Sequence, residues 1–131
     1  GKLGVVIGLA TDASGEVLDV LAKVLAMHVA AADPSPVAVD REGVPGELIE
    51  REQELFRRQA DQEGKPAKVI ERLVECRIKK YYSEVCLLEQ SFVKDPDKTV
   101  RQLLEEVGGQ REAPVSVTAF VRFKLGEAAS E

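Results

Sequence analysis

The chain has 131 residues, of which 44% are hydrophobic, with 18 basic and 23 acidic side chains and a net charge of −5. That length and apolar content suffice for one domain with its own core, so neither disulfides nor a structural metal is needed to hold it. Acids and bases are interspersed, and the lack of a basic surplus argues against direct nucleic-acid binding; no apolar run is long enough to span a bilayer.

The opening segment "KLGVVIGLA" alternates with a period of two. Leu3, Val5, Ile7 and Leu9 share one face, and Gly4, Val6, Gly8 and Ala10 the other, which predicts a strand whose glycines permit close approach on the second face. "TDASGE" is turn chemistry able to cap a following helix. Residues 16–32 are helix formers in which Glu16, Asp19 and Lys23 make one narrow polar stripe. The rest is apolar, predicting a helix buried on most of its circumference. "DPSP" ends it, because proline cannot continue the hydrogen-bond ladder.

"VPGELIEREQELFRRQADQEGKPAKVIERLVECRIKKYY" predicts two amphipathic helices. Pro45 suits a first turn, and Leu48 and Ile49 return one heptad later as Leu55 and Phe56, with Ala60 beyond. Gly64 can take a left-handed cap and Pro66 can open the second helix, which carries Val69, Ile70, Leu73, Val74, Ile78 and Tyr81. So short a turn makes the two helices antiparallel. Leu48, Leu55 and Phe56 with Ile70, Val74 and Tyr81 are the expected seam, packing within the hairpin in preference to between chains. Outward charges such as Glu54 with Arg58, and Glu71 with Glu75 and Lys79, read as a solvated face. The hairpin is thinly apolar, so it is expected to project or to pack against another copy.

"EVCLLEQSFV" is strand-like, and "DPDKTVRQLLEEVGG" reads as an N-capped helix closed by glycines. "VSVTAFVRFKLG" predicts a strand with Val115, Val117, Ala119, Val121, Phe123 and Leu125 inward and Ser116, Thr118, Arg122 and Lys124 outward; an outward Phe120 breaks the pattern. The expected fold is α+β: a small antiparallel sheet of about three strands packed with helices. It is built from residues 1–43 and 83–131 as one discontinuous domain, with a helical hairpin, residues 44–82, inserted.

Material for catalysis is scarce. There is one histidine, His28, and two cysteines, Cys76 and Cys86, which make neither a metal set nor a secreted framework. "GVVIGLA" is neither a dinucleotide fingerprint nor a phosphate loop, and no nucleophile elbow is present. The expectation is no catalytic residue, no metal, no cofactor and no membrane, in a soluble protein of a reducing compartment. His28 lies off the polar stripe, about 180° around the helix from Asp19, near a C-terminus that favours a partly charged imidazole. Its leading reading is a side chain packed in or beside the core with one ring nitrogen bonded locally; partner contact and catalysis are the alternatives.

Together, "LGVVIGLA", "LAKVLAMHVAAADP", "EGKPAKVIERLVECRIKKYYSEVCLLEQSFVKD", "KTVRQLL" and "VTAFVRFKLGE" resemble the C-terminal half of bacterial or organellar elongation factor Ts, over almost the whole chain and in order. The resemblance implies a guanine-nucleotide exchange factor of elongation factor Tu, with a core subdomain and an inserted coiled-coil dimerisation module. It implies no bond chemistry: the family binds the GTPase, disturbs its magnesium and phosphate environment and lowers its affinity for GDP. Elongation factor Tu, GDP-bound or nucleotide-free, is the expected partner, with a homodimer through the hairpin as a further expectation. The bacterial cytoplasm, mitochondrial matrix or plastid stroma is the expected location. The resemblance sets the "LAKVLAMH" helix near the partner-facing surface, where Lys23 matches a family lysine and His28 also matches. The family's Thr-Asp-Phe-Val motif has its nearest counterpart in Thr11-Asp12-Ala13-Ser14, which keeps the aspartate without the aromatic wedge. The chain opens "GKLG" without an initiator methionine and lacks the family's N-terminal helical module, so it is expected to be a fragment or processed product. The part it resembles lies against the third domain of elongation factor Tu, and weak binding with poor exchange alone is expected. The competing expectation is a structural coiled-coil dimerisation or ribosome-associated module that no longer exchanges nucleotide.

Overall fold

The computed structural model describes residues 3–11, 16–111 and 113–124. Its elements in chain order are β1 (Leu3–Thr11), α1 (Glu16–Ala31), a 3-10 turn (Arg41–Gly43), α2 (Gly46–Gln62), α3 (Ala67–Val85), a second 3-10 turn (Leu87–Glu89), β2 (Ser91–Phe92), β3 (Asp95–Thr99), α4 (Val100–Arg111) and β4 (Val115–Lys124). Of the capping turn expected at "TDASGE", residues 12–15 lie outside the described residues, as does the inward Leu125; Thr11 ends β1 and Glu16 opens α1.

The fold is mixed α+β. Its strands form two separate two-stranded antiparallel sheets, β1–β4 and β2–β3, where one sheet of about three strands was expected. The physical reason is the size of β2: with only Ser91 and Phe92 it makes a local pairing and cannot extend the long ladder. The apolar run "EVCLLEQSFV" is therefore mostly not strand. Cys86 ends α3 and bridges Ala38, and the 3-10 turn follows.

β4 departs from simple alternation. Gly8 pairs with Ala119 but Leu9 pairs with Val117, so Thr118 is an extra residue that reverses the faces beyond it. Val115 and Val117 are buried as expected. After the bulge Phe120 takes the core side, opposite Ile7, while Ala119 is exposed and Val121 and Phe123 are each 55% exposed. The expectation that Ala119, Val121 and Phe123 point inward and Arg122 and Lys124 outward is thus corrected: Arg122, half-buried, lies opposite Val5 and Lys124 opposite Leu3, on the same side as Phe120, which no longer breaks a pattern. On the outer face a Cβ at Gly4 would collide with the Phe123 ring, and one at Gly8 would lie 2.6 Å from Thr118 Oγ1.

The main core joins Leu21, Leu25 and Val29 of α1 to Val100 and Leu104 of α4, Leu87, Phe92, and Val115 and Val117 of β4; Val5, Ile7, Leu9 and Phe120 pack against it. Asp95–Thr99 proves to be strand, so α4 starts at Val100. Thr99 Oγ1 accepts from Gln102 N at 3.2 Å and Gln102 Oε1 accepts from Thr99 N at 2.8 Å, a reciprocal capping box. Gly108 and Gly109, expected to close this helix, lie inside it.

α2 and α3 pack against each other as an antiparallel pair. Gly64 turns the chain between them at φ 76°, where a side chain would be strained. Gly64 N donates to Asp61 O and Lys65 N to Ala60 O, a Schellman closure of α2. At the hairpin base Ala38, Val44, Val85 and Cys86 form a second core cluster, with Leu48, Ile49, Tyr81 and Tyr82 against it.

Candidate functional site

α1 is seated by Leu21, Leu25 and Val29, spaced four apart so that they fall on one face. The opposite face is open. Lys23, Asp19 and Ala31 are exposed, and Val20 and Met27 are 59% and 53% exposed. As expected, the helix is covered over most of its circumference; the exposed arc, about 120° wide, is broader than the polar stripe and takes in Val20, Met27 and Ala31 beside Asp19 and Lys23. Val20, Met27 and Ala31 make an apolar outward stripe edged by the two charges of Asp19 and Lys23, which stand one turn apart.

His28 is fully buried. Its Nδ1 accepts a hydrogen bond from Val93 N at 3.2 Å, so the ring proton sits on Nε2, which donates to Gln90 Oε1 at 2.8 Å. The ring stacks on Phe92 with centroids 5.9 Å apart. Burial holds its pKa below the ordinary 6.5, and the Gln90 hydrogen bond opposes that shift. With both nitrogens committed, the imidazole has no open position for a proton or a metal. Lys23 and His28 are five positions apart, about 140° around the helix, and the structure does not bring them together: one is in solvent and the other in the core.

Among the described residues no group of three or more His, Cys, Asp or Glu side chains could hold a metal ion. Burial pushes the Cys86 thiol up to about 11, so it stays protonated and inert; Cys76 is exposed. Among the described residues no helix is long and apolar enough to cross a membrane.

The six seam candidates have different surroundings. Val74 is buried, and Phe56 and Ile70 are half-buried between the paired helices. Leu48 and Tyr81 pack at the base against the second cluster. Leu55 is 58% exposed and stands outside the seam, whereas Ala60, 2% exposed, lies in it. Glu71 pairs with Arg57 across the hairpin, at 2.9 and 3.0 Å, which draws its pKa below the usual carboxylate value. Arg77 and Glu52 make a second cross-hairpin pair at 3.2 Å. At the base Arg41 clamps Glu89 through two hydrogen bonds, of 2.8 and 2.9 Å, and lies 4.9 Å from the Tyr82 ring centroid.

Sequence reasoning missed Gln90, Val20 and Met27. Gln90 gives no local signal, since its partner His28 is 62 positions away. Val20 and Met27 look like core residues by type, and only the tertiary arrangement leaves them uncovered.

The family model described as elongation factor Ts matches residues 1–127. The chain is 48% identical to an elongation factor Ts of Geobacter sulfurreducens across 97% of its length and 60% of the relative's. It is 50% identical to one of Prosthecochloris aestuarii, across 95% of this chain and 42% of that one, and 45% identical to one of Maricaulis maris, across 97% and 41%. The chain therefore spans between about two fifths and three fifths of these relatives' lengths.

Proposed function

The chain belongs to the elongation factor Ts family, and we propose that it binds elongation factor Tu and promotes GDP release in protein synthesis. The supporting observation is the outward stripe of α1, Val20, Met27 and Ala31 with Asp19 and Lys23 at its edge, on a helix whose opposite face is locked into the core. A rigid face of three apolar residues edged by Asp19 and Lys23 loses little entropy on binding. Exchange by this route is differential binding. A protein that prefers the nucleotide-free GTPase lowers its affinity for GDP, and GDP reciprocally weakens that protein's grip. No bond is made or broken. Lys23 is the contact residue of this reading, and His28 supports the helix from within. Residues 1–43 and 83–131 act as one body and residues 44–82 as an inserted hairpin. The similar proteins named above are bacterial, and the bacterial cytoplasm is the proposed location.

The experiment mixes the purified chain with elongation factor Tu loaded with fluorescent GDP, recording complex formation and the GDP release rate. Weak but saturable binding with a small acceleration of release is expected, together with weakening by Lys23→Glu at unchanged circular dichroism; binding with no acceleration would overturn the exchange part of the reading and leave a docking module. No binding at high micromolar concentration overturns the reading.

A second reading, a structural module that pairs two chains through the hairpin without exchange, draws on Leu55 and Val69, 58% and 44% exposed on α2 and α3. Concentration-dependent sedimentation that Leu55→Lys abolishes, without binding to elongation factor Tu, would favour it.

A further inference from the structure

Gln90 stands where the hairpin rejoins the rest of the chain, between the Leu87–Glu89 turn and β2. It is polar yet only 7% exposed. Its carboxamide is bonded at both ends: Oε1 accepts from His28 Nε2 at 2.8 Å, while Nε2 donates to Pro34 O at 3.0 Å and to Glu84 O at 2.7 Å. The amide orientation follows from chemistry. Val93 N–H occupies His28 Nδ1, so Nε2 carries the proton and requires an acceptor, and the two carbonyls require donors.

The three partners belong to three different segments. His28 lies in the last turn of α1, Pro34 in the loop that leaves it, and Glu84 is the penultimate residue of α3, where helix carbonyls lack intrahelical partners. One side chain thus joins the C-terminal ends of both helices beside a cleft of about 440 Å³ lined by His28, Asp33, Glu84 and Gln90, among others. α1 carries the outward stripe and α3 carries the hairpin.

Resting on the function proposed above, we propose that Gln90 is a positioning residue: acting through His28, it fixes the outward face of α1 relative to the hairpin. It does not meet the partner itself. Its contribution is preorganisation, since a face already held in one orientation needs no ordering when the partner arrives. Neither sequence spacing nor family membership assigns this role; it follows from the three hydrogen bonds.

The test compares the native chain with Gln90→Leu, which removes the acceptor and both donors. Spin labels at Cys76 on α3, which is exposed, and at Ala31→Cys on α1 report the distance between the two elements; Cys86 is buried and stays unlabelled. A narrow distance distribution is expected for the native residue and a broad one for Gln90→Leu, with unchanged helix content. The dissociation constant for elongation factor Tu should rise about tenfold, and Lys23→Ala should then cost less than it does beside the native glutamine. That non-additivity separates positioning from mere stability, which leaves the Lys23 effect intact. If the leucine variant does not fold, Gln90→Glu, which keeps the acceptor for His28 but cannot donate to the two carbonyls when ionised, is read the same way. An unchanged distance distribution overturns the proposal. Failure of the native chain to bind elongation factor Tu instead overturns the functional reading, and the distances still decide the role of Gln90.

Discussion

Phe120 lies directly opposite Ile7 in the β1–β4 ladder, and both side chains pack against the core. The extra residue Thr118 sets this relationship, because without it Phe120 would face outward. Phe120→Ala is expected to cost about 3 kcal/mol. Val121→Ala, on the outer side, should cost less than about 1 kcal/mol. Urea unfolding of the two variants checks the difference, and equal losses would show that the faces are not reversed.

Gly4 and Phe123 share the outer side of the same ribbon, where the ring occupies the space a Cβ would need. Gly4→Ala should destabilise by about 1 kcal/mol, and by less than about 0.5 kcal/mol when combined with Phe123→Ala. A double-mutant cycle measures the coupling; simple additivity would mean that the ring does not need the glycine.

His28 predicts the sign of a pH effect. Its folded pKa lies below the ordinary 6.5, so below that value the unfolded chain binds the extra proton first. The stability it contributes is therefore complete above pH 6.5 and is lost as pH falls through the folded value. His28→Gln removes this share of the slope, although carboxylates such as Glu89, whose pKa Arg41 lowers, keep contributing further into acid. Chemical denaturation at several pH values checks it. An identical slope in the variant would mean that His28 is not buried neutral.

Within the hairpin, Val74→Ala should cost about 2 kcal/mol because the side chain is 3% exposed. Leu55→Ala should stay within about 0.5 kcal/mol in a monomer. A large loss at Leu55 that grows with protein concentration would instead report association between chains.

Thiol reactivity should divide cleanly. Cys76 is exposed, whereas Cys86 is buried with its pKa pushed up to about 11. A colourimetric disulfide reagent should label one thiol at once and the second only on unfolding. Prompt reaction of both would contradict the packing at the hairpin base.

Local pattern carried much of this molecule. The period of two in "KLGVVIGLA" became β1, the helix formers from Glu16 became α1, and Gly64 between two amphipathic runs became the hairpin turn at positive φ. These features rest on backbone sterics and side-chain periodicity, which act over a few residues. The order and spacing of its longer segments also pointed to its family, which the match over residues 1–127 bears out.

Other features were settled only when distant segments met. The bulge at Thr118 exists because β4 must pair with β1 in a given register, so the alternation within β4 misassigned the face of every residue from Ala119 to Lys124. β3 formed where a helix start was expected, because Asp95–Thr99 acquired a strand partner. Val20 and Met27 stayed exposed because the packing leaves one arc of α1 uncovered, and hydrophobic type alone says nothing about direction. Gln90 and His28, 62 positions apart, satisfy each other's hydrogen bonds only in the folded chain. Local propensity determined which segments became helix or strand; the pairing and burial of remote segments decided which faces are open to a partner.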